Sequence, residues 1–82
     1  MKILFLYRYG ILGGVCTQLY HRLLNFDKSI EVHCGFRNDF GISKMFEGLA
    51  KLHFDLTPVK LANLLDQENF DVVIIIDTEE YL

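Results

Sequence analysis

Four short apolar runs alternate with three amphipathic stretches along this chain of 82 residues. The runs lie at residues 3–7, 30–34, 52–56 and 72–76, and each has the length of a buried strand. The first and last runs are apolar at nearly every position, which is typical of strands covered on both faces, as in parallel sheets. The pattern therefore predicts a parallel sheet with helices on its faces.

The stretches between the runs carry apolar residues at the three- and four-residue spacing of helices. Helices are predicted over residues 15–24, within residues 42–49, and from residue 58 onwards. Their apolar stripes are Cys16, Leu19, Tyr20, Leu23 and Leu24; Ile42, Met45, Phe46 and Leu49; and Leu61, Leu64 and Leu65. Thr57 is a favourable N-cap residue, and Pro58 suits the first position of the third helix.

The strict alternation of strand and helix predicts one α/β domain over residues 1–82. Because parallel crossovers are right-handed, the leading topology is a Rossmann-like half-domain, a four-stranded parallel sheet in the order 3-2-1-4 with about three helices. Residues 35–43 carry glycines and charges and are predicted to form the longest loop.

This order places the fourth strand at an edge of the sheet, although residues 71–77 read Asp-Val-Val-Ile-Ile-Ile-Asp. Natural edge strands are short, charged or kinked, because an apolar edge recruits other chains. We therefore expect the domain to be incomplete and its edge to be covered. The cover is either a missing carboxyl-terminal Rossmann-like half or a second copy, paired through the strand that begins at Val72 and ends at Ile76.

The composition is that of a globular chain, with 51% hydrophobic residues and a net charge of −3. Acidic and basic residues are interleaved, so no basic surface for nucleic acid or an anionic membrane is expected. The apolar runs are far shorter than the ~20 residues of a transmembrane segment, and Arg8 interrupts the first run too early for a secretory signal. Two cysteines are too few for a disulfide scaffold, so a reduced, cytoplasmic chain is expected.

Three glycines, Gly10, Gly13 and Gly14, separate the first strand from the first helix. Glycines let a bound group approach the backbone closely, and the first turn of a helix offers free N–H groups and a positive dipole end to an anion. The spacing Gly-x-x-Gly-Gly differs from the dinucleotide fingerprint and lacks the Lys-Ser/Thr ending of a P-loop. The junction is therefore interpreted either as a phosphate site or as a tight turn without a ligand.

The segment MKILFLYRYGILGGVCTQLYHRL resembles the opening of retaining glycosyltransferases of the GT-B fold, the group 1 or family 4 type that uses nucleotide-sugar donors. These chains begin with Met-Lys-Ile and an apolar strand, continue through a loop ending in Gly-Gly, and enter a helix with Thr, Gln and leucines. The final segment DVVIIIDTEEYL is similar to their fourth strand. The first quarter of the chain carries the specific part of this resemblance.

The resemblance implies a donor site at the first strand-to-helix junction. Gly13 and Gly14, with the N–H groups of Val15 and Cys16, match the loop that approaches the donor diphosphate. The nucleotide-sugar is then a substrate, and no cofactor is implied.

The resemblance also implies a cleft on the acceptor side. Arg8 and Tyr9 match positions that line the cleft between two domains, and Asp77, Glu79 and Glu80 fall near the acceptor. Ligands in open α/β sheets bind at these same carboxyl ends of the strands, independently of the family. The acidic residues could equally be a solvated strand end.

Two functions follow from these patterns. The first is the amino-terminal, acceptor-side domain of a glycosyltransferase that transfers a sugar from a nucleotide-sugar donor to an unknown acceptor. Such enzymes need a second Rossmann-like half with a Glu-x₇-Glu motif, so the 82 residues alone are expected to be inactive. The alternative is a stand-alone, non-catalytic Rossmann-like or flavodoxin-like binding or assembly module that dimerises through its fourth strand.

Other candidate residues favour structural roles. Cys16, His21, His33 and Cys34 could suggest a metal site, but residues five apart on a helix and adjacent residues on a strand point in different directions. No metal site is therefore predicted from them. Cys16 could be a reactive thiol at a helix N-terminus, but its apolar neighbours favour a small core residue.

Overall fold

The structure, a computed structural model, describes residues 1–11 and 14–76. Its elements in chain order are β1 Lys2–Ile11, α1 Gly14–Leu24, β2 Glu31–Phe40, α2 Ile42–Met45, β3 Lys51–His53, α3 Pro58–Gln67 and β4 Val72–Ile75. The four strands form one parallel sheet in the order β3-β2-β1-β4. The α/β fold class and the strand order predicted from the sequence are both confirmed.

The sheet is covered on both faces, as the apolar character of β1 predicts. Alternate residues of β1 enter two separate hydrophobic clusters, with Ile3 and Phe5 in one and Leu4 and Leu6 in the other. Each of these four side chains is buried. Because successive side chains of a strand point to opposite faces, a strand between two layers must be apolar throughout.

The larger cluster lies between the sheet and the helices α1 and α2. Its buried members are Ile3, Phe5, Cys16, Leu19, Leu23, Val32, Cys34, Phe36, Ile42 and Phe46. Tyr20, Met45 and Leu49 are half-buried against it. Most of the apolar stripe predicted for the first two helices therefore faces the core, whereas Leu24 is 52% exposed and its predicted inward orientation is wrong.

The smaller cluster packs α3 against the other face of the sheet. It contains Leu4, Leu6, Leu56 and Leu64, with Leu61 and Phe70 packed against them. Of the three leucines predicted to face inward from α3, Leu65 does not, since it is 40% exposed. Among the described residues, α3 is the helix that covers this face, and only a narrow stripe of it packs against the sheet.

The start of α3 follows its sequence signals. The Thr57 hydroxyl accepts a hydrogen bond from the Lys60 N–H at 3.2 Å, and Pro58 occupies the first helical position. This hydrogen bond satisfies one of the N–H groups that a helix leaves unpaired at its beginning. The predicted N-cap is confirmed.

The strands β1 and β2 are longer than the sequence pattern predicts. They remain paired to the register Ile11↔Phe40, so the first part of the predicted loop at residues 35–43 is strand. Gly10 pairs with Asp39 and belongs to β1 rather than to the turn. These extensions contain polar residues, so the hydrophobicity pattern did not predict them as strand. Their backbone hydrogen bonds depend on the neighbouring strand and not on side-chain polarity.

Two other elements are shorter than predicted. Within residues 42–49, α2 covers only Ile42–Met45, and Gly48 at φ 80° stands in the turn that follows. The strand β3 ends at His53, although Leu56 is buried and its N–H donates to the Phe36 carbonyl at 3.1 Å. Burial therefore extends beyond the strand itself. Among the described residues, no helix has the length and apolar character needed to cross a membrane.

Candidate functional site

The junction of β1 and α1 lies where the sequence predicts a ligand. The strand ends at Ile11 and the helix begins at Gly14. Gly14 is exposed, and a Cβ atom built on it would meet no atom within 4 Å among the described residues, apart from its chain neighbours and the backbone of its own helix. Its φ lies outside the left-handed region, so the backbone does not require a glycine here. The space that a side chain at position 14 would occupy is therefore open.

The amino end of α1 is suited to an anion. The helix is 11 residues long and has no acidic residue in its first turn, whereas His21 and Arg22 occupy its last turn. The first N–H groups of any helix have no intrahelical acceptor, and the aligned peptide dipoles make this end positive. No acidic side chain of the helix itself therefore neutralises the positive end.

The strand β4 brings a second segment of the chain close to the carboxyl end of β1. In chain order, β2 pairs with one side of β1 and β3 is added beyond β2, whereas β4 pairs with the other side of β1. This reversal is a topological switch point, which in open α/β sheets creates a crevice at the carboxyl ends of the two strands. The N–H of Ile76 donates to the Leu6 carbonyl at 2.8 Å, so the chain leaves β4 beside the continuing strand β1.

A small cavity of about 120 Å³ lies between α1 and the end of β4, lined by Gln18, Leu19, Arg22 and Ile76. The Arg22 guanidinium stands 5.5 Å from the centroid of the Phe5 ring, a cation–π distance. Sequence reasoning did not identify Gln18 and Arg22 as residues beside the crevice. Their four-residue separation places them on one face of the helix, but only the position of β4 shows what that face meets.

The residues predicted to approach the donor diphosphate have different surroundings. Gly13 lies outside the described residues, while Gly14 and Val15 form the beginning of α1. The side chain of Cys16 is 1% exposed and belongs to the hydrophobic core. Any contact of Cys16 with an anion would therefore use its backbone N–H alone.

The residues predicted on the acceptor side are described only in part. Arg8 and Tyr9 lie within β1, two or three residues before its end, and Tyr9 pairs with Asn38 of β2. Asp77, Glu79 and Glu80 lie outside the described residues.

Neither Cys16 nor Cys34 is in a disulfide, and both side chains are buried. Burial raises the pKa of the Cys34 thiol to about 12, and the nearby Cys16 adds to the effect. Cys34 and His33 enter opposite faces of the sheet, as adjacent strand residues do, and therefore cannot share a ligand.

A cluster of polar residues lies at the opposite end of the sheet, where the strands β1 and β2 begin. We call it the amino-end cluster, and it consists of Lys2, Glu31, His33, His53 and Glu68. Lys2 is the first residue of β1, Glu31 is the first residue of β2, and Glu68 directly follows α3. The elements that meet here are distant in sequence, and this explains why sequence reasoning missed the cluster.

His33 is the centre of this cluster and is 1% exposed. Its Nε2 lies 2.7 Å from Glu31 Oε2, and its Nδ1 lies 2.9 Å from His53 Nε2. The edge of its ring meets the ring of Phe70 in a T-shaped contact, with centroids 5.0 Å apart. Both ring nitrogens therefore have partners, which is what a buried polar side chain requires.

Charges of opposite sign meet around this histidine. Lys2 Nζ donates to Glu68 Oε2 and lies 3.7 Å from Glu31 Oε2. The hydrogen bond with Lys2 lowers the pKa of Glu68, and the hydrogen bond with His33 lowers the pKa of Glu31. Burial lowers the pKa of His53, and the neighbouring His33 lowers it further. The two carboxylates are thus held in their charged form.

Comparisons of this chain with models of known protein families, with curated proteins and with solved structures found no match.

Proposed function

We propose that this chain is the amino-terminal, acceptor-side domain of a GT-B glycosyltransferase, which transfers a sugar from a nucleotide-sugar donor to an acceptor. The observation that carries the proposal is the β1–α1 junction, where α1 begins at an exposed Gly14 with open space beside it. The resemblance of the first quarter of the chain to these enzymes supports the same function.

The physical role of the junction is to stabilise negative charge. When the sugar leaves its donor, the nucleoside diphosphate takes up the electron pair of the broken bond and its charge increases. The free N–H groups at the start of α1 are oriented before the reaction, so they stabilise this charge without further rearrangement. A glycine at position 14 lets the diphosphate come close to them.

The partners in this proposal are the nucleotide-sugar, the acceptor, and a second Rossmann-like half that grips the nucleotide. The acidic residues Asp77, Glu79 and Glu80, together with Arg8 and Tyr9, would contribute to the acceptor side of the cleft. We place the reaction in the cytoplasm, because Cys16 and Cys34 are buried and not joined in a disulfide. The isolated chain is expected to bind a diphosphate weakly and to transfer no sugar.

The test is a titration of the ¹⁵N-labelled chain with inorganic pyrophosphate and with a nucleoside diphosphate, followed by backbone amide shifts. We expect the largest shifts at Gly14, Val15 and Cys16. The variant Gly14→Val places a branched side chain in the open space and should abolish them, whereas Asn63→Ala on the exposed face of α3 should leave them unchanged.

In the complete enzyme, Gly14→Val should reduce turnover by about 10²–10³-fold, the effect of losing one preorganised donor to a developing negative charge. Shifts spread over surface amides with no preference for α1, or full binding by Gly14→Val, would remove the junction from the site.

A second function, a non-catalytic assembly module, is favoured by one observation. Val72, Val73 and Ile75 of the edge strand β4 are 39%, 40% and 37% exposed. In this alternative the strand pairs with a second copy and the β1–α1 junction is a turn without a ligand. Absence of any diphosphate binding together with a stable dimer would favour this alternative.

A further inference from the structure

We propose that Glu31, His33 and Glu68 form a binding site for a divalent transition-metal ion of the zinc class. Each residue offers one donor atom, and the three atoms lie within 4.8 Å of one another. This site lies where the strands β1 and β2 begin, whereas the proposed diphosphate site lies at the carboxyl end of β1. The two proposals are therefore independent.

The donor set fits such an ion. One imidazole nitrogen and two carboxylate oxygens are ligands that Zn²⁺ accepts, and three protein ligands leave a fourth position for water. In tetrahedral coordination at ~2.0–2.1 Å, donor atoms stand roughly 3.3 Å apart. The Glu31 oxygen already lies 2.7 Å from the His33 nitrogen, so small movements of the two half-buried carboxylate side chains suffice to surround an ion.

A cation already occupies the space between the carboxylates. The Lys2 ammonium donates to Glu68 and lies 3.7 Å from Glu31 Oε2. The Lys2 side chain is 34% exposed, so it can turn into solvent when a metal ion arrives. A divalent ion carries twice the charge of the ammonium and forms coordinate bonds to His33 as well, which an ammonium cannot do.

His53 holds His33 in the orientation that a metal needs. A carboxylate only accepts, so the 2.7 Å contact with Glu31 assigns the proton of His33 to Nε2. In the matching arrangement, His33 Nδ1 accepts from His53 Nε2–H across 2.9 Å. A metal requires a lone pair on His33 Nε2, so that proton is released to solvent. The proton shared with His53 then moves to His33 Nδ1, and His53 takes up a proton from solvent at its own Nδ1.

One proton is released to solvent and one is taken up in this exchange, so no net proton is gained or lost. Metal-binding histidines commonly donate their second N–H to a neighbouring acceptor, which fixes the tautomer and the ring orientation. His53 Nε2 is such an acceptor at 2.9 Å. Metal binding would therefore reverse the tautomers of two histidines at once.

The experiment uses the purified chain, Zn²⁺ for calorimetry and Co²⁺ as the spectroscopic probe. We expect one equivalent of Zn²⁺ to bind, and Co²⁺ to show visible absorption bands of tetrahedral coordination. Long-range ¹H–¹⁵N spectra of the histidine rings should show His33 changing from its Nε2–H to its Nδ1–H form when Zn²⁺ is added.

Three variants test the roles of single residues. Glu68→Gln removes one ligand but keeps an acceptor for Lys2, so folding is retained and affinity falls by more than about 100-fold. His53→Phe removes the orienting acceptor and should weaken binding by about 10–100-fold. Lys2→Met removes the competing ammonium and should tighten binding about two- to fivefold, the fold-change that corresponds to one exposed ion pair.

Two control variants are matched to these. Asp66→Asn removes a negative charge from α3 close to Glu68, and His21→Gln removes an exposed histidine. Both should bind Zn²⁺ as the natural sequence does. The proposal is overturned if Zn²⁺ does not bind even to Lys2→Met, if Glu68→Gln binds normally, if His21→Gln loses binding, or if His33 keeps its Nε2–H form at saturation.

Discussion

Gly35 in β2 and Leu56 are so close that a Cβ atom at position 35 would lie 2.5 Å from Leu56 Cδ2. The same atom would lie 2.9 Å from Leu6 Cδ2. Gly35 pairs with His53 of β3 and stands on the face of the sheet that carries the smaller hydrophobic cluster. The missing side chain is therefore what allows these two leucines to reach the sheet.

Gly35→Ala is expected to destabilise the chain by about 1–3 kcal/mol, because an added methyl group in a filled core forces its neighbours out of their preferred positions. The free energy of unfolding in urea measures this effect. Gly14→Ala is the matched control, since a Cβ there meets no other atom within 4 Å and should cause no loss. Equal stability of Gly35→Ala and the natural sequence would show that Leu6 and Leu56 rearrange without cost.

Stability should fall in two steps as the pH is lowered. The native pKa of His53 is below its usual value of 6.5, so the unfolded chain binds a proton first and stability decreases as pH falls below 6.5. The native pKa values of Glu31 and Glu68 are below 4.5, so their contribution is present above pH 4.5 and is lost as pH falls through their native values.

Urea unfolding midpoints measured between pH 8 and pH 3 test this prediction. His53→Gln should remove the upper step and leave the lower one, whereas His21→Gln, which changes an exposed side chain, should keep the upper step. A midpoint that stays constant from pH 8 to pH 5 in the natural sequence would contradict the upper step.

Cys34 should be almost unreactive in the native state. A pKa near 12 instead of the usual 9.0 lowers the thiolate fraction near pH 8 by about 10³-fold, and burial further limits access. Alkylation of the native chain with iodoacetamide, followed by mass spectrometry, should leave Cys34 unmodified for hours. In denaturant, both Cys16 and Cys34 should react quickly. Rapid native modification of Cys34 would mean that the sheet opens locally.

The edge strand β4 should drive self-association of the isolated chain. Val73 and Ile75 are exposed, and an unpaired strand edge carries free backbone donors and acceptors. Two such edges can pair about a two-fold axis into a continuous antiparallel seam. Sedimentation velocity should therefore detect dimers whose fraction rises with concentration.

Ile75→Lys should shift that population towards monomer or aggregate, because it places a charge in the seam. Val59→Lys is its control, since it introduces the same charge at a side chain of α3 that is 72% exposed. Natural chain that remains monomeric at high concentration would rule out the seam.

The amino-acid sequence alone determined the order of elements and the topology of the sheet. Apolar runs such as that of β1, and signals such as Thr57 and Pro58, act over a few neighbouring residues and can be read directly. The order β3-β2-β1-β4 then follows from general rules of connection in parallel sheets. The position of Gly14 at the start of α1 could also be predicted from the neighbouring residues alone.

Only the tertiary structure decided the lengths of the strands and the composition of the amino-end cluster. The extension of β2 to Phe40 depends on hydrogen bonds with β1, and no periodicity of its own side chains indicates it. Likewise, Glu31 and His33 are two residues apart, but Glu68 reaches them from the end of a different element. Contacts between residues distant in sequence depend on how whole elements pack, and a single sequence read locally carries no direct record of those distances.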